Sequence, residues 1–256
     1  MTALTGAAPR PEARVMSGPL AMPGLVALHL IPGALVALAF VAFAPVAEGA
    51  GYPPLAALLA AIGLVLLPVE LGIVLWAGRG KGSPLAAVAY RQPIATRRWL
   101  WLVPALIAAA FLGFGAHQAI EPQLIDALFG WLPAWFVAPI DFDTIGAYSQ
   151  TAWIATLSAY FVLNGLLGPI VEELYFRGYL LPRMERLGRW APLVNVSLFS
   201  LYHFWSPWQL FARILGFGPT VYAVRWTRNV GLGVVVHCAL NSLSVLLVAS
   251  AVLGRL

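Results

Sequence analysis

Two adjacent glutamates, Glu172 and Glu173, are the side chains of this sequence best suited to acid–base chemistry. They follow the apolar run WIATLSAYFVLNGLLGPI and precede Arg177. Residues four apart share a helix face, so Glu173 and Arg177 are predicted to form an ion pair. Glu172 points about 100° away and has no such partner on its own helix. This division predicts that Glu173 anchors the helix, while Glu172 is free to act as a general base toward a cavity. A charged helix end at the lipid boundary is the alternative that this motif alone leaves open.

Two further patterns use histidine and asparagine at the same spacing of four. His237 and Asn241, in VVVHCALNSL, project from one face of a helix. An imidazole beside an amide forms a donor pair suited to stabilising the oxyanion of a tetrahedral intermediate. Hydrogen bonding between helices is the alternative role for this pair. His203 follows Phe199 by four residues in SLFSLYHFW. A single histidine on an apolar helix is by itself more often structural than catalytic.

The elements that must position these residues are membrane helices. The chain has 256 residues, of which 61% are hydrophobic and 10% charged, and its mean hydropathy is +0.85, whereas soluble domains carry about 25% charged residues. The single cysteine, Cys238, excludes a disulfide framework and a CxxC site. Spanning the hydrocarbon core takes about 20 apolar residues. The predicted spans are 23–47, 54–77, 99–120, 148–172, 191–207, 211–226 and 229–253. The sequence therefore predicts an all-α, polytopic helix bundle with about seven transmembrane helices.

The distribution of basic residues predicts the orientation of the bundle. With the N-terminus in the cytoplasm, only Arg213 and Arg255 of the 15 Lys and Arg residues fall outside. The positive-inside rule therefore predicts a cytoplasmic N-terminus, in a multi-pass protein of the inner or plasma membrane. Residues 1–18 are polar and proline-rich and are predicted to form a flexible cytoplasmic tail. Residues 19–256 are predicted to form a single transmembrane domain.

Three other ionisable residues lie within the predicted membrane region. Such residues are functional hypotheses by default. His29 lies in an apolar helix and His117 near an external boundary, and both are expected to have structural or interfacial roles. Glu70 is also expected to be structural, with Arg79 or a neighbouring helix as its partner.

The three patterns read EExxxR, FxxxH and HxxxN in order along the chain. Together they resemble the three motifs of the CPBP family. This family groups the CaaX prenyl endopeptidases of the Rce1 type with bacterial Abi and bacteriocin self-immunity proteins. The resemblance covers about residues 148–245, the expected catalytic core. It implies an intramembrane endopeptidase of glutamate type that cleaves a membrane-associated peptide or protein.

The resemblance also implies a role for each matching residue. Glu172 looks like the base that activates water, assisted by His203. His237 and Asn241 look like the pair that stabilises the oxyanion. The supporting residues of the first motif are Glu173 and Arg177.

Several alternatives stay open at this stage. The sequence has no HExxH, GxSxG or GxGD motif, which disfavours zinc, serine and aspartyl types of intramembrane protease. No cofactor is expected, but a divalent metal bound by Glu172, Glu173, His203 and His237 is a second, disfavoured version of the same protease. A non-enzymatic transporter, immunity factor or scaffold is the alternative class. The expected partners are the bilayer and a peptide or protein, not nucleic acid. No residue distinguishes a CaaX-like substrate from a leader peptide or a C-terminal tag.

The depth of His203 is a further open question. Counted from Trp190 at the predicted cytoplasmic interface, His203 lies about 20 Å along its helix. Glu172 and His237 are expected to be shallower. The helix therefore begins later, near Val194, or is steeply tilted.

Overall fold

A computed structural model describes residues 20–256, so the predicted tail at residues 1–18 lies outside the described residues. Within residues 20–256 the backbone is helical with no strand, and an isolated bridge pairs Arg91 with Asn229. The all-α class predicted from composition is confirmed. It follows from the chemistry of lipid, where a helix satisfies its backbone hydrogen bonds within one segment.

Seven helices carry the fold of residues 20–256. They are α1 (Met22–Gly49), α2 (Pro54–Gly78), α3 (Thr96–Gln118), α4 (150–180), α5 (Ala191–Tyr202), α6 (Leu210–Thr227) and α7 (Val230–Leu253). Short helical turns at Glu121–Leu124, Ile125–Phe129, Ala134–Val137 and Ile145–Ala147 connect α3 to α4. The side chain of Ser149 caps α4 by accepting a hydrogen bond from the Ala152 amide at 3.1 Å. Asn229 caps α7 in the same way through the Leu232 amide.

The predicted count of seven membrane spans is not confirmed. Among the described residues, five helical stretches are long and apolar enough to cross a membrane: Met22–Gly49, Pro54–Gly78, Thr96–Gln118, Gln150–Tyr202 and Val230–Leu253. The fourth stretch is 53 residues long and joins two of the predicted spans. A ten-residue segment, Leu181–Trp190, connects α4 to α5, and its backbone is non-helical at Met184 and Gly188, so the two helices are separated by a kink. Helix α6 lies outside the five.

Helix α4 departs from regular α-helical geometry where the glutamates lie. Its stretches Phe161–Leu167 and Glu173–Leu180 are π-helical, a geometry that is often found at functional sites. The following 3₁₀ segment is kinked, with a positive φ of 51° at Gly188. Helix α5 then begins at Ala191 and not near Val194, so a later start does not explain the depth of His203.

The second half of α4 lies in the centre of the bundle. Its side chains Tyr175, Phe176, Tyr179 and Leu180 are fully buried, and it packs against α2, α5 and α7. A glycine permits the closest approach from α7, because a Cβ on Gly233 would collide with the Glu173 carboxylate. The bundle therefore closes around the two glutamates.

Candidate active site

The carboxylate of Glu172 lies between two histidines contributed by different helices. Its Oε1 is 3.9 Å from His203 Nε2, and its Oε2 is 3.8 Å from His237 Nε2. All three residues are buried, with 6% of Glu172, 9% of His203 and 3% of His237 exposed. Both distances are too long for a direct hydrogen bond and are compatible with a water that contacts both groups. The three patterns read from the sequence thus converge at one point.

The orientation of His203 is fixed by the end of its helix. His203 follows Tyr202, the last residue of α5, and its Nδ1 is 2.8 Å from the carbonyl oxygen of Phe199. A carbonyl only accepts, so Nδ1 carries the proton and donates. In the neutral ring Nε2 is then a free acceptor that faces Glu172. This is the tautomer that can take part in polarising a water molecule.

Glu173 is held by a cation and by His237. Its Oε1 is 3.3 Å from a guanidinium nitrogen of Arg177 and 3.1 Å from His237 Nδ1. Glu173 and Arg177 are 0% and 1% exposed, so the pair is entirely buried. The i, i+4 ion pair predicted from the sequence is therefore present, although the backbone at this point is π-helical. Glu173 also orients His237, as a carboxylate behind a histidine commonly does.

Phe199, the first residue of the FxxxH pattern, packs against two of the other motifs. The guanidinium of Arg177 lies 4.0 Å from the centre of its ring. The ring of His203 meets it edge-on at 4.8 Å, and that of His237 at 6.1 Å. A buried cation over an aromatic face gains about 2 kcal/mol. The aromatic residue thus supports both the ion pair and the two histidines.

Asn241 is on the same face of α7 as His237, but its described hydrogen bond is not made to the glutamates or histidines of the site. Its amide nitrogen donates to the carbonyl oxygen of Asn164 at 2.9 Å, within the first π-helical stretch of α4. A side-chain amide has two N–H groups, so a second donor is left. The structure therefore brings Glu172, Glu173, Arg177, His203 and His237 together and places Asn241 one helical turn further along.

Two further residues belong to this cluster and were not among the predicted site residues. The hydroxyl of Tyr202 donates to Glu70 Oε1 at 2.7 Å and lies 3.4 Å from Glu172 Oε1. Glu70 and Tyr202 are both 0% exposed. The expectation that Glu70 reaches Arg79 is wrong, and its alternative, a neighbouring helix, is correct. Its position as an ionisable group inside an apolar helix was the available signal.

The other intramembrane ionisable residues have partners away from the cluster. His29 Nδ1 contacts the Leu25 carbonyl at 2.8 Å, and its Nε2 lies 3.1 Å from the amide nitrogen of Asn195. These bonds tie α1 to α5, in agreement with the structural role expected of His29. His117 is buried, 3.8 Å from Glu121. Arg213, predicted to lie outside, is buried in α6 and donates to Ser206 and Gln209.

The same carboxylates and imidazoles were considered as metal ligands. In residues 20–256, no group of three or more His, Cys, Asp or Glu side chains is arranged to hold a metal ion. A chelator titration tests the metal-dependent alternative.

The fold and the cluster together define a multi-pass membrane protein of helices with a buried Glu–His constellation. Residues 153–243, which are 91 of the 256, match the model of the Rce1-like family, described as "Type II CAAX prenyl endopeptidase Rce1-like". The family resemblance is thereby confirmed for this segment, which contains all three motifs. No curated protein and no solved structure matches the chain.

Proposed function

We propose that this protein is an intramembrane endopeptidase of glutamate type, in which Glu172 and His203 activate a water molecule. The observation that carries the proposal is the position of Glu172, buried at 3.8–3.9 Å from one nitrogen of each histidine. A water between Glu172 Oε1 and His203 Nε2 would contact two acceptors, which raises its nucleophilicity as the base withdraws a proton. Burial strengthens this effect because few solvent dipoles compete.

The reaction then proceeds by ordinary addition and elimination. Glu172 takes a proton from the water, and the resulting hydroxide adds to the carbonyl carbon of the scissile peptide. The tetrahedral intermediate collapses as the C–N bond breaks, and Glu172 returns its proton to the leaving amine. The products are a carboxylate and an amine, so no external reactant besides water is needed.

His237 and Asn241 are the proposed donors to the oxyanion. Because His237 Nδ1 faces the Glu173 carboxylate at 3.1 Å, that nitrogen donates to Glu173. A donor at Nε2 therefore requires the imidazolium form of His237. Asn241 would use its second N–H. Glu173 and Arg177 act behind them as supporting residues.

The proposed substrate is a membrane-associated peptide or protein, and the proposed location is the cell membrane, inner or plasma. The description of the matching family supports a prenylated CaaX C-terminus as the first substrate to test. Leader peptides and C-terminal tags are the alternatives. A buried site inside a helix bundle fits all three, because each substrate is held at the bilayer by an apolar anchor.

The test compares the wild-type protein with Glu172→Gln in detergent and in liposomes. Two quenched fluorogenic peptides are used, one with a farnesylated CaaX end and one with the same sequence anchored by a palmitoyl chain. Glu172→Gln is nearly isosteric and removes basicity, so we expect turnover to fall by ~10² or more. The matched control is Glu185→Gln, the same chemical change at an exposed position, which should leave turnover unchanged.

The outcomes of this experiment distinguish a glutamate-type protease, a non-enzymatic protein and a metal-dependent protease. Cleavage by wild type that is lost in Glu172→Gln supports the proposal, and equal cleavage by both overturns it. Absence of cleavage of either peptide by wild type overturns the CaaX substrate, and absence of cleavage of membrane-anchored leader and C-terminal tag peptides as well favours the non-enzymatic class. Loss of wild-type activity on addition of a chelator, with recovery on addition of Zn²⁺, assigns the metal-dependent version.

A further inference from the structure

One hydroxyl group lies between two buried carboxyl groups at the edge of the proposed active site. The Tyr202 hydroxyl is 2.7 Å from Glu70 Oε1 and 3.4 Å from Glu172 Oε1. Glu70 comes from α2, outside the segment that matches the family model, and 132 residues before Tyr202. The contact is therefore a feature of how this bundle packs the N-terminal helices against the three motifs.

A hydroxyl has a single proton, so Tyr202 can donate well to one carboxyl group at a time. The shorter distance assigns that proton to Glu70, because 2.7 Å is a normal O–H···O length and 3.4 Å exceeds it. The oxygen of Tyr202 then faces Glu172 with its lone pairs. Glu172 Oε1, which is the oxygen nearest to His203, therefore receives no hydrogen bond from Tyr202.

The assignment holds for ionised Glu70 and for the neutral acid whose proton lies on Oε2, because Oε1 then accepts; a proton on Oε1 would instead donate to the Tyr202 oxygen. A carboxylate oxygen and the carbonyl oxygen of a carboxylic acid both accept a hydrogen bond. Glu70 Oε2 has no hydrogen-bond partner among the described residues. The contact to Tyr202 is thus the one described hydrogen bond of this side chain, and no cation lies within ion-pair distance of it in the described part of the chain.

The tyrosine itself has little freedom to turn away. Its ring is fully buried, 4.9 Å from the ring of Phe176 and 5.3 Å from that of Trp205. Helix α1 packs against the backbone of Tyr202 at Gly33, where any Cβ would collide with the Tyr202 carbonyl oxygen. With the ring fixed, the main remaining freedom is rotation of the hydroxyl proton between its two acceptors.

We propose that Glu70 is a positioning residue that holds the hydroxyl proton of Tyr202 and so keeps Glu172 available as the base. This inference rests on the proposed function of Glu172. Without the acceptor at position 70, the hydroxyl turns to Glu172 Oε1 and donates to it. A hydrogen bond to a carboxylate stabilises the ionised form and weakens it as a base. Glu70 thus acts on the rate of chemistry and not on substrate binding.

The first variant is Glu70→Leu, which replaces the hydrogen-bond acceptor with an apolar side chain of similar size. On the farnesylated peptide we expect kcat to fall by about tenfold to a hundredfold, the range of one hydrogen bond to a charged group, with KM unchanged. Glu70→Gln keeps an acceptor oxygen and is expected to retain at least about a third of the wild-type kcat. A purely structural role of Glu70 would not separate kcat from KM in this way.

The decisive variant is the pair Glu70→Leu/Tyr202→Phe. Removal of the hydroxyl leaves nothing to block Glu172, so the second substitution should restore kcat at least about fivefold over Glu70→Leu alone. The matched control is Asn195→Leu, a buried polar residue of α5 whose bonds go to His29 and Phe176. Adding Tyr202→Phe to that variant should give no recovery.

These measurements separate the inference from the proposed function. If Glu172→Gln cleaves as well as wild type, the proposed function fails. If Glu172→Gln is inactive and Glu70→Leu is fully active, or Tyr202→Phe deepens the loss, only the role of Glu70 is overturned. If Glu70→Leu alone does not fold, the single variant Tyr202→Phe is compared with the double variant Glu70→Leu/Tyr202→Phe. Equal kcat within about twofold supports the inference, and a further loss on removing Glu70 contradicts it.

Discussion

Replacing Arg177 with alanine leaves the Glu173 carboxylate buried with His237 as its remaining charged or polar neighbour in the described contacts. Arg177 lies 3.3 Å from Glu173 and 4.0 Å over the ring of Phe199, and it is 1% exposed. The substitution therefore removes the ion pair and the cation–π contact together. It also opens a cavity, because Arg177 is among the largest fully buried side chains.

The magnitude follows from the burial of both partners. Removing one member of a buried ion pair destabilises a protein by about 3–5 kcal/mol. A change of 1 kcal/mol shifts Tm by roughly 2–4 °C for a chain of 150–250 residues. We therefore expect Arg177→Ala to lower Tm by about 6–20 °C and to reduce the amount of folded protein in the membrane. The exposed Arg186→Ala should change stability by less than about 0.5 kcal/mol.

The assay is thermal unfolding in detergent, with cleavage of the farnesylated peptide measured on the folded fraction. The compensating variant is Glu173→Gln/Arg177→Met, which removes both charges and refills part of the space. It should recover part of the loss in Tm, because replacing a buried pair by neutral groups of similar size is often close to neutral. An Arg177→Ala protein that melts like wild type but is inactive would refute this reasoning and assign Arg177 to chemistry or substrate binding.

Two further predictions concern α7. His237→Ala and Asn241→Ala should each lower turnover by ~10²–10³, and together by less than the product of the two, because both are proposed donors to one oxyanion. Independent, multiplicative losses accompanied by falling Tm would assign the pair to helix packing instead. Gly233→Ala should displace the Glu173 carboxylate, lowering stability by about 1–3 kcal/mol and reducing kcat. Gly218→Ala, whose Cβ would meet open space, should do neither, and equal effects of the two glycine variants in unfolding and cleavage assays would contradict the role of Gly233.

Spacing within a single helix was sufficient to predict the local geometry of the site. Glu173 and Arg177 form the ion pair expected of residues four apart, and Glu172 faces His203, while His237 contacts both carboxylates. The helical class followed from composition, since a chain this apolar must form its backbone hydrogen bonds within helices. These inferences depend on neighbours in sequence, which a single sequence displays directly.

The remaining features depend on packing between distant segments. Tyr202, at the end of α5, and Glu70 of α2 meet only through tertiary packing, and no spacing rule relates residues 132 apart. The amide of Asn241 bonds to a carbonyl 77 residues earlier. The π-helical stretches could not be predicted, because they have no characteristic spacing of hydrophobic residues. Hydropathy also did not show the kinked segment Leu181–Trp190 between α4 and α5, because it measures apolar length and not the path of the backbone.

The order of synthesis gives the contact between Glu70 and Tyr202 a consequence for biogenesis. Helix α2 is made before α5, and 132 residues separate donor from acceptor. At about 5–20 residues per second, roughly 7–26 s pass before Tyr202 is available to Glu70. During that interval a carboxyl group resides in the nascent α1–α2 hairpin with no tyrosine to satisfy it, at a cost of several kcal/mol. The hydrogen bond between Glu70 and Tyr202 therefore forms late, after α5 has been made and packed into the bundle.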